Sequence, residues 1–123
     1  MMHALLLIAH GSRRQASNDE VRKLTKVLEQ YAGDEFSIIE CAFLELAEPS
    51  IPDGVSACVQ KGAESVTVLP YFLSAGRHVV TDIPEELQKA QSQNPQLSIK
   101  TAPYLGSAQG ISDILIGLSK QAS

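Results

Sequence analysis

The chain has 123 residues, a hydrophobic fraction of 44% and a formal charge of −4, which suits a single globular domain with one core. A pI near 5.3 argues against a nucleic-acid partner, because phosphate binding needs a basic face. The apolar runs are far shorter than the roughly 20 residues of a membrane span, and the N-terminus lacks the pattern of a secretory signal. We therefore expect one cytoplasmic domain over residues 1–123, with no nucleic-acid or membrane partner.

The first half of the chain has the pattern strand, helix, strand, helix. Residues 4–9 are apolar at every position, which is typical of a parallel strand covered on both faces. A capping box from Ser17 to Glu20 begins the first predicted helix. A second apolar strand, 36–43, leads to a helix that is capped by Ser50. The residues at helical spacing that should face the core are Val21, Leu24, Leu28, Tyr31, Ile51, Val55 and Cys58.

The second half repeats this pattern. Residues 65–71 and 97–101 are predicted strands, Asp82 caps the helix between them, and a last helix follows. The core-facing residues of these two helices should be Ile83, Leu87, Ala90, Ile111, Leu115 and Leu118. Strands and helices that alternate with short links predict right-handed crossovers and an α/β fold with a four-stranded parallel sheet flanked by helices. Four strands are about half of an ordinary doubly wound domain, so we expect a second copy to complete the functional unit.

The cysteines and one histidine are assigned structural roles. Cys41 and Cys58 are not arranged as Cys-x-x-Cys, so we expect small buried hydrophobic side chains in a reducing cytoplasm. His3 is interpreted as a loop or cap residue.

Reactive side chains follow the first three predicted strands, namely His10, Glu45 and His78. Because ligands bind outside the carboxyl ends of parallel strands, and neighbouring strands lie about 4.8 Å apart, these groups could converge on one ion or one reacting proton. Two histidines and a carboxylate suit divalent iron, cobalt, nickel or zinc. Glu48 is interpreted as a solvated loop carboxylate. Asp82 either orients the His78 ring or only caps its helix.

Arginine placement indicates an anionic ligand. Three of the four arginines, Arg13, Arg14 and Arg77, flank the two histidines. A guanidinium binds a carboxylate or phosphate through two parallel hydrogen bonds, which lysine cannot do. A polyanionic small molecule is therefore expected, although exposed loops can also carry arginine without such a role. The phosphate-binding loop, the dinucleotide-binding turn and the nucleophile elbow are all absent from the sequence.

Three stretches of the sequence carry a resemblance to a known family. They are Ala-His-Gly-Ser-Arg at 9–13, Ala-Phe-Leu-Glu at 42–45 with Glu-Pro-Ser-Ile at 48–51, and Leu-Pro-Tyr-Phe-Leu-Ser-Ala-Gly-Arg-His at 69–78. Together they resemble the CbiX/SirB family of sirohydrochlorin chelatases, which insert cobalt or ferrous iron into a tetrapyrrole. The length resembles the short, single-domain form of the family, which is half of a class II chelatase. The part from about Gln91 carries no diagnostic motif.

The resemblance implies a site and a mechanism. The metal-site histidines of the family fall on His10 and His78, and its acidic residue falls on Glu45. The histidines would hold the metal and accept pyrrole protons, while Glu45 would act as a ligand or proton acceptor. The residues expected to bind the peripheral carboxylates of the tetrapyrrole are Ser12, Arg13, Arg14, Ser74 and Arg77. No organic cofactor is expected, and the divalent metal (Co²⁺, Fe²⁺ or Ni²⁺) is a substrate.

The breadth of a tetrapyrrole also predicts a homodimer, with two sheet edges facing each other across a cleft. Two other functions stay open. The same ligands could store a metal or carry a tetrapyrrole without catalysing insertion. Alternatively, His10 could act as the nucleophile of a phosphoryl-transfer enzyme, although Ala9 stands where an Arg-His-Gly motif would have its arginine.

Overall fold

Four parallel strands form one sheet in the computed structural model, which describes residues 2–122. The strands are β1 (His3–Ala9), β2 (Ile38–Phe43), β3 (Ser65–Pro70) and β4 (Ser98–Thr101). Their order is β2-β1-β3-β4, so β1 and β3 occupy the centre of the sheet. The predicted α/β fold and its four strands are confirmed, with strand ends that differ by no more than two residues from the prediction.

Residues 2–122 also contain four α-helices. They are α1 (Gln15–Tyr31), α2 (Ile51–Gln60), α3 (Ile83–Gln93) and α4 (Ile111–Ser119). A π-helical turn (His78–Asp82) leads into α3, and a 3₁₀ turn (Leu105–Ser107) precedes α4. The predicted core residues of α2 and α3 are confirmed as buried: Ile51, Val55, Cys58, Ile83, Leu87 and Ala90.

Residues 4–9 of β1 are all apolar because both faces of the strand are covered. Leu6 and Ile8 pack in the cluster that contains the buried residues of α2 and α3. Leu7 and Ala9 point to the opposite face and pack with the apolar residues of α1. Burying successive residues on both faces removes the alternation that a half-exposed strand would show.

The start of α1 differs from the prediction. The helix begins at Gln15, not at a Ser17 cap, and the hydroxyl of Ser17 instead accepts a hydrogen bond from Arg14 Nη1 at 3.4 Å. The predicted capping box is therefore wrong. Tyr31 is also exposed rather than facing the core. The cap at Ser50 is confirmed, because its hydroxyl accepts a hydrogen bond from Asp53 N at 3.2 Å.

The last helix, α4, forms as predicted but contributes no buried residue. Its exposed apolar side chains are Ile114, Leu115, Ile116 and Leu118, each 55–59% accessible to solvent. The expected core-facing role of Leu115 and Leu118 is therefore wrong within this chain, since both side chains are exposed. Over residues 2–122, the helices are all too short or too polar to cross a membrane.

The cysteines occupy the core as predicted. Cys41 and Cys58 are buried and are free thiols. Burial, with a smaller contribution from the charge of Glu40, raises the pKa of Cys58 to about 12. His3 is not in a loop but begins β1, where its ring hydrogen-bonds to Ser65.

Candidate functional site

Two histidines meet at the carboxyl edge of the sheet. His10 follows β1 directly, and His78 begins the π-helical turn after β3, the strand next to β1. Their ring centroids lie 4.6 Å apart, and the ring planes are inclined at 67°. Residues that are far apart in the sequence are thus brought into contact because parallel strands end at the same edge.

Each of these histidines has one ring nitrogen bound to a hydrogen-bond acceptor. His10 Nδ1 lies 2.8 Å from the carbonyl oxygen of Gly11, and His78 Nδ1 lies 2.8 Å from Asp82 Oδ2. A carbonyl oxygen can only accept, so Nδ1 of His10 carries the proton, and the carboxylate favours the same tautomer in His78. The Nε2 atom of each ring therefore keeps its lone pair for a metal ion or a proton.

The side chain of Asp82 contacts His78 rather than the start of its own helix. Its backbone is helical and its side chain makes no capping hydrogen bond, so the predicted helix cap is wrong. The carboxylate instead binds His78 from four residues further along the chain. Its other oxygen lies 4.0 Å from Nε of the exposed Arg77. A π-helical turn is a rare geometry that often occurs at functional sites, and here it carries both members of the pair.

The backbone of Glu45 packs closely against the loop that carries His10. Glu45 N donates a hydrogen bond to His10 O at 3.0 Å. Gly11 has a φ of +94°, and a Cβ atom at this position would lie 1.7 Å from Glu45 O. Only glycine fits this contact. The Glu45 side chain is exposed, and residues 2–122 contain no group of three His, Cys, Asp or Glu side chains close enough to hold a metal, so Glu45 as a third ligand stays a prediction.

The loop that carries Glu45 is attached to α1 through an arginine. Arg22 Nη2 donates to the carbonyl oxygen of Glu48 at 2.8 Å, and its guanidinium lies 5.1 Å from the centre of the Phe43 ring. The side chain of Glu48 is exposed, as expected of a solvated loop carboxylate. The fourth arginine of the chain therefore has a structural role.

A buried asparagine, which the sequence analysis missed, holds the loop after His10. Asn18 is only 2% exposed. Its Oδ1 accepts from Ser12 N at 2.9 Å, and its Nδ2 donates to Ser12 O at 2.8 Å and to Gln15 Oε1 at 3.1 Å. Asn18 shares a helical face with Val21 and Thr25. A polar residue at a core-facing position of the helix was the sequence signal that could have identified it.

The predicted substrate-binding residues lie on the two loops that carry the histidines. Arg13, Arg14, Ser74 and Arg77 are exposed, and Ser12 is half-buried. The hydroxyl of Ser12 accepts a hydrogen bond from Arg14 N at 3.0 Å. The three arginines therefore sit on the same loops as the histidines, while their contact with a ligand stays a prediction.

An apolar rim adjoins His78. The Phe72 ring centroid lies 6.4 Å from that of His78, and the side chains of Leu73 and Val80 are exposed. The segment after β4 supports this rim, because Gly106 N donates to Phe72 O at 3.0 Å. A Cβ atom on Gly106 would lie 1.9 Å from Leu73 O. The C-terminal part of the chain, which carried no motif, thus fixes the loop that leads to His78.

A cavity of about 580 Å³ lies at the other edge of the sheet, where β3 and β4 begin. Its lining includes Ala63, Glu64 and Leu97 but no histidine or cysteine. It lacks the imidazole and thiolate groups that suit divalent iron and cobalt. The histidine edge is therefore the candidate functional site.

The family of the chain follows from comparison with known proteins. The CbiX family model matches residues 4–122. The chain belongs to the CbiX family. One similar protein is the chloroplastic sirohydrochlorin ferrochelatase of Arabidopsis thaliana, which is 39% identical over 111 residues, or 90% of this CbiX chain and 48% of the relative.

Two further proteins are similar to this chain in sequence or in fold. The sirohydrochlorin cobaltochelatase of Methanocaldococcus jannaschii is 37% identical over 86 residues, or 70% of this chain and 59% of the relative. The crystal structure of the sirohydrochlorin chelatase SirB from Bacillus subtilis subspecies spizizenii, in complex with cobalt, superimposes with a TM-score of 0.89 at 31% identity. The match covers 98% of this CbiX chain and 50% of SirB. The predicted chelatase-like fold is confirmed, and the chain spans about half the length of these relatives.

Proposed function

We propose that this CbiX-family chain is a sirohydrochlorin chelatase, which inserts a divalent metal ion into the tetrapyrrole. The observation that carries the proposal is the contact of His10 with His78, in which both Nδ1 atoms are hydrogen-bonded and both Nε2 atoms are left for chemistry. The names of the relatives support both iron and cobalt as the metal. The metal is a substrate in this scheme, and no organic cofactor takes part.

Metal insertion requires two events that neutral imidazole can perform. The metal ion must exchange bound water for nitrogen ligands, and the two pyrrole N–H groups must release their protons. Imidazole nitrogen suits divalent iron, cobalt and nickel, and it can accept a proton at cellular pH. His10 and His78 would bind the incoming ion through Nε2 and take up pyrrole protons as the ion passes to the macrocycle, so two protons leave for each M²⁺ inserted. Glu45 would assist as a ligand or proton acceptor.

The surroundings of the histidines suit a flat, polyanionic substrate. Phe72, Leu73 and Val80 offer apolar surface beside His78 for the face of the macrocycle. The guanidinium groups of the neighbouring loops would bind the peripheral carboxylates through paired hydrogen bonds. The proposed carboxylate-binding residues are Ser12, Arg13, Arg14, Ser74 and Arg77.

The proposed functional unit is a homodimer. A tetrapyrrole is broader than one edge of a four-stranded sheet, so a second copy would cover the other side of the macrocycle. The length of SirB, about twice that of this chain, supports a unit with two such halves. We place the reaction in the cytoplasm, in siroheme or cobalamin synthesis, because two free thiols in the core suit a reducing compartment.

The test is a metal-insertion assay with sirohydrochlorin and catalytic amounts of protein, run in parallel with cobalt, ferrous iron and nickel. We expect insertion well above the spontaneous rate with at least one metal. His10→Ala and His78→Ala should abolish it without unfolding the chain. His3→Ala is the matched control, since His3 lies at the opposite edge of the sheet, and it should retain wild-type turnover. Stoichiometric binding of metal or tetrapyrrole without acceleration would identify a carrier and overturn the proposal.

A further inference from the structure

The guanidinium of Arg22 makes three contacts, although this is the one arginine of the four that does not flank a site histidine in the sequence. Its Nη1 lies 2.9 Å from Oδ1 of Asp19, an exposed residue on the same helix. Its Nη2 donates to Glu48 O at 2.8 Å, and its central carbon lies 5.1 Å from the centre of the Phe43 ring. The side chain therefore connects α1 with residues 44–49, the acidic loop, which joins β2 to α2.

The two contacts outside α1 lie at the two ends of the acidic loop. These ends are close together, because Phe43 N donates to Pro49 O at 2.8 Å. The guanidinium lies over the Phe43 ring, which is fully buried, and binds the carbonyl oxygen of Glu48 beside the other end. A guanidinium that both stacks on a ring and donates a hydrogen bond is fixed in place. Arg22 therefore holds the base of the loop that carries Glu45.

The acidic loop contains a strained residue that its own side chain does not stabilise. Leu46 has a φ of +66° and is the only non-glycine residue with a positive φ over residues 2–122. Its side chain is 51% exposed. The residues on either side are held, since Glu45 N donates to His10 O and Ala47 packs on the buried cluster. Such a conformation persists only where the surrounding contacts impose it. The contacts at the base of the loop are therefore needed to keep the Glu45 backbone in place.

The helix α1 holds the His10 loop as well as the acidic loop. Asn18 binds both backbone groups of Ser12, in the loop after His10. Arg22 follows Asn18 by one helical turn and binds the acidic loop. A rigid helix with one side chain on each loop fixes the distance between the two backbones. The separation of His10 from Glu45 therefore depends on this pair of side chains.

We propose that Arg22 is a positioning residue for metal insertion, which holds the acidic loop so that the Glu45 carboxylate can reach the metal ion bound by the histidines. This inference rests on the proposed function and adds one residue to it. Arg22 acts through Glu45 and contacts neither the metal nor the tetrapyrrole. Its removal should therefore reduce turnover only while Glu45 is present.

The geometry of the contacts requires arginine rather than any cation. The planar guanidinium stacks on Phe43 and donates to two acceptors from separate nitrogens. Lysine has the same charge, but its single ammonium cannot make all of these contacts at once. Arg22→Lys should therefore lose most of the activity that Arg22→Ala loses. An arginine that served only to attract an anionic substrate would be replaced well by lysine.

A double-mutant cycle tests the proposal through metal insertion into sirohydrochlorin. The full-length wild type, Arg22→Ala, Glu45→Gln and the double variant are compared by kcat and by KM for the tetrapyrrole. We expect Arg22→Ala to lower kcat about 10-fold with little change in KM. In the Glu45→Gln background, Arg22→Ala should cause no further loss. Asp19→Ala is the matched control, since it removes the exposed ion pair of Arg22 but leaves both contacts with the acidic loop, and it should keep the wild-type kcat.

The possible results separate this inference from the proposed function. An equal fold loss in both backgrounds overturns the inference, because it shows an effect on general stability. A raised KM with unchanged kcat, or wild-type kcat in Arg22→Lys, overturns it in favour of substrate binding or charge alone. Wild-type turnover in Glu45→Gln overturns the inference and leaves the chelatase function intact, whereas a wild type without insertion activity overturns both. If circular dichroism shows that Arg22→Ala does not fold, Arg22→Lys takes its place in the cycle, with the same expectation.

Discussion

The Nδ1 atom of His78 lies 2.8 Å from Oδ2 of Asp82, and this contact replaces the helix cap that the sequence around Asp82 suggests. The carboxylate fixes the orientation and the tautomer of the imidazole. His10 is oriented differently, by the backbone carbonyl of Gly11. The two histidines are therefore oriented by different kinds of partner, a backbone carbonyl for His10 and a carboxylate for His78.

Asp82→Ala is expected to reduce the rate of metal insertion by about 10- to 100-fold, because His78 loses the partner that orients it. We expect kcat to decrease while KM for the tetrapyrrole and the melting temperature change little. Asp113→Ala, which removes an exposed carboxylate from the first turn of α4, is the control. Steady-state kinetics of both variants make the comparison. An Asp82→Ala enzyme with wild-type kcat would show that the contact has no role in turnover.

The sequence predicted those parts of the fold that are packed within the chain itself. The strands and the core stripes of α2 and α3 agree with the structure because their apolar residues face the buried clusters on either side of the sheet. The meeting of His10 with His78 was predictable for a related reason, since β1 and β3 are parallel neighbours and both histidines follow the strand ends.

The features that the sequence did not predict depend on which of several possible partners a side chain contacts in the folded chain. Ser17 and Asp82 both have the sequence context of a helix cap, but Asn18 fixes an earlier start of α1 and His78 takes the carboxylate of Asp82. An apolar stripe such as that of α4 indicates only that some surface will cover it, and not which chain supplies that surface. The side chain of Glu45 is exposed, so the spacing in the sequence fixes only the position of its backbone.

Gly11→Ala should be strongly destabilising. The new Cβ atom would overlap with Glu45 O at 1.7 Å, and the residue would also be held at a φ of +94°. An alanine in this left-handed backbone conformation is strained, and the loops that carry residues 11 and 45 would have to move apart. Together these effects should lower the free energy of unfolding by about 3 kcal/mol or more. Urea denaturation measures this change. Gly110→Ala, where a Cβ atom meets open space and φ is negative, should shift the midpoint only slightly. Equal midpoints for the two variants would contradict the close approach of the loops.

Asn18→Ala tests whether the loop after β1 is held for function as well as for stability. The substitution removes three hydrogen bonds of the buried Asn18 amide and leaves the backbone N–H and C=O of Ser12 without these partners. The free energy of unfolding should therefore fall by about 1–3 kcal/mol. The rate of metal insertion should fall as well, because His10 and the adjacent arginines lie on the loop that Asn18 holds. Ser50→Ala, which loses a helix cap worth about 1 kcal/mol and lies outside the loop after β1, is the control. Reduced kcat in both variants would indicate a general effect of stability rather than a role for this loop.

Cys58 should make the stability of the chain depend on pH in the alkaline range. Burial raises the pKa of this thiol from 9.0 to about 12, so between these values the unfolded chain loses a proton that the folded chain keeps. The contribution of this group to the free energy of unfolding is fully present below pH 9. It is lost as the pH rises towards 12, and the loss amounts to at most about 4 kcal/mol. Denaturation curves at pH 8 to 11 measure it against Cys58→Ala, which lacks the thiol. We expect the wild-type free energy of unfolding to fall more steeply with pH than that of the variant. Parallel pH profiles would show that the thiol ionises equally in both states, which a side chain with no solvent exposure should not allow.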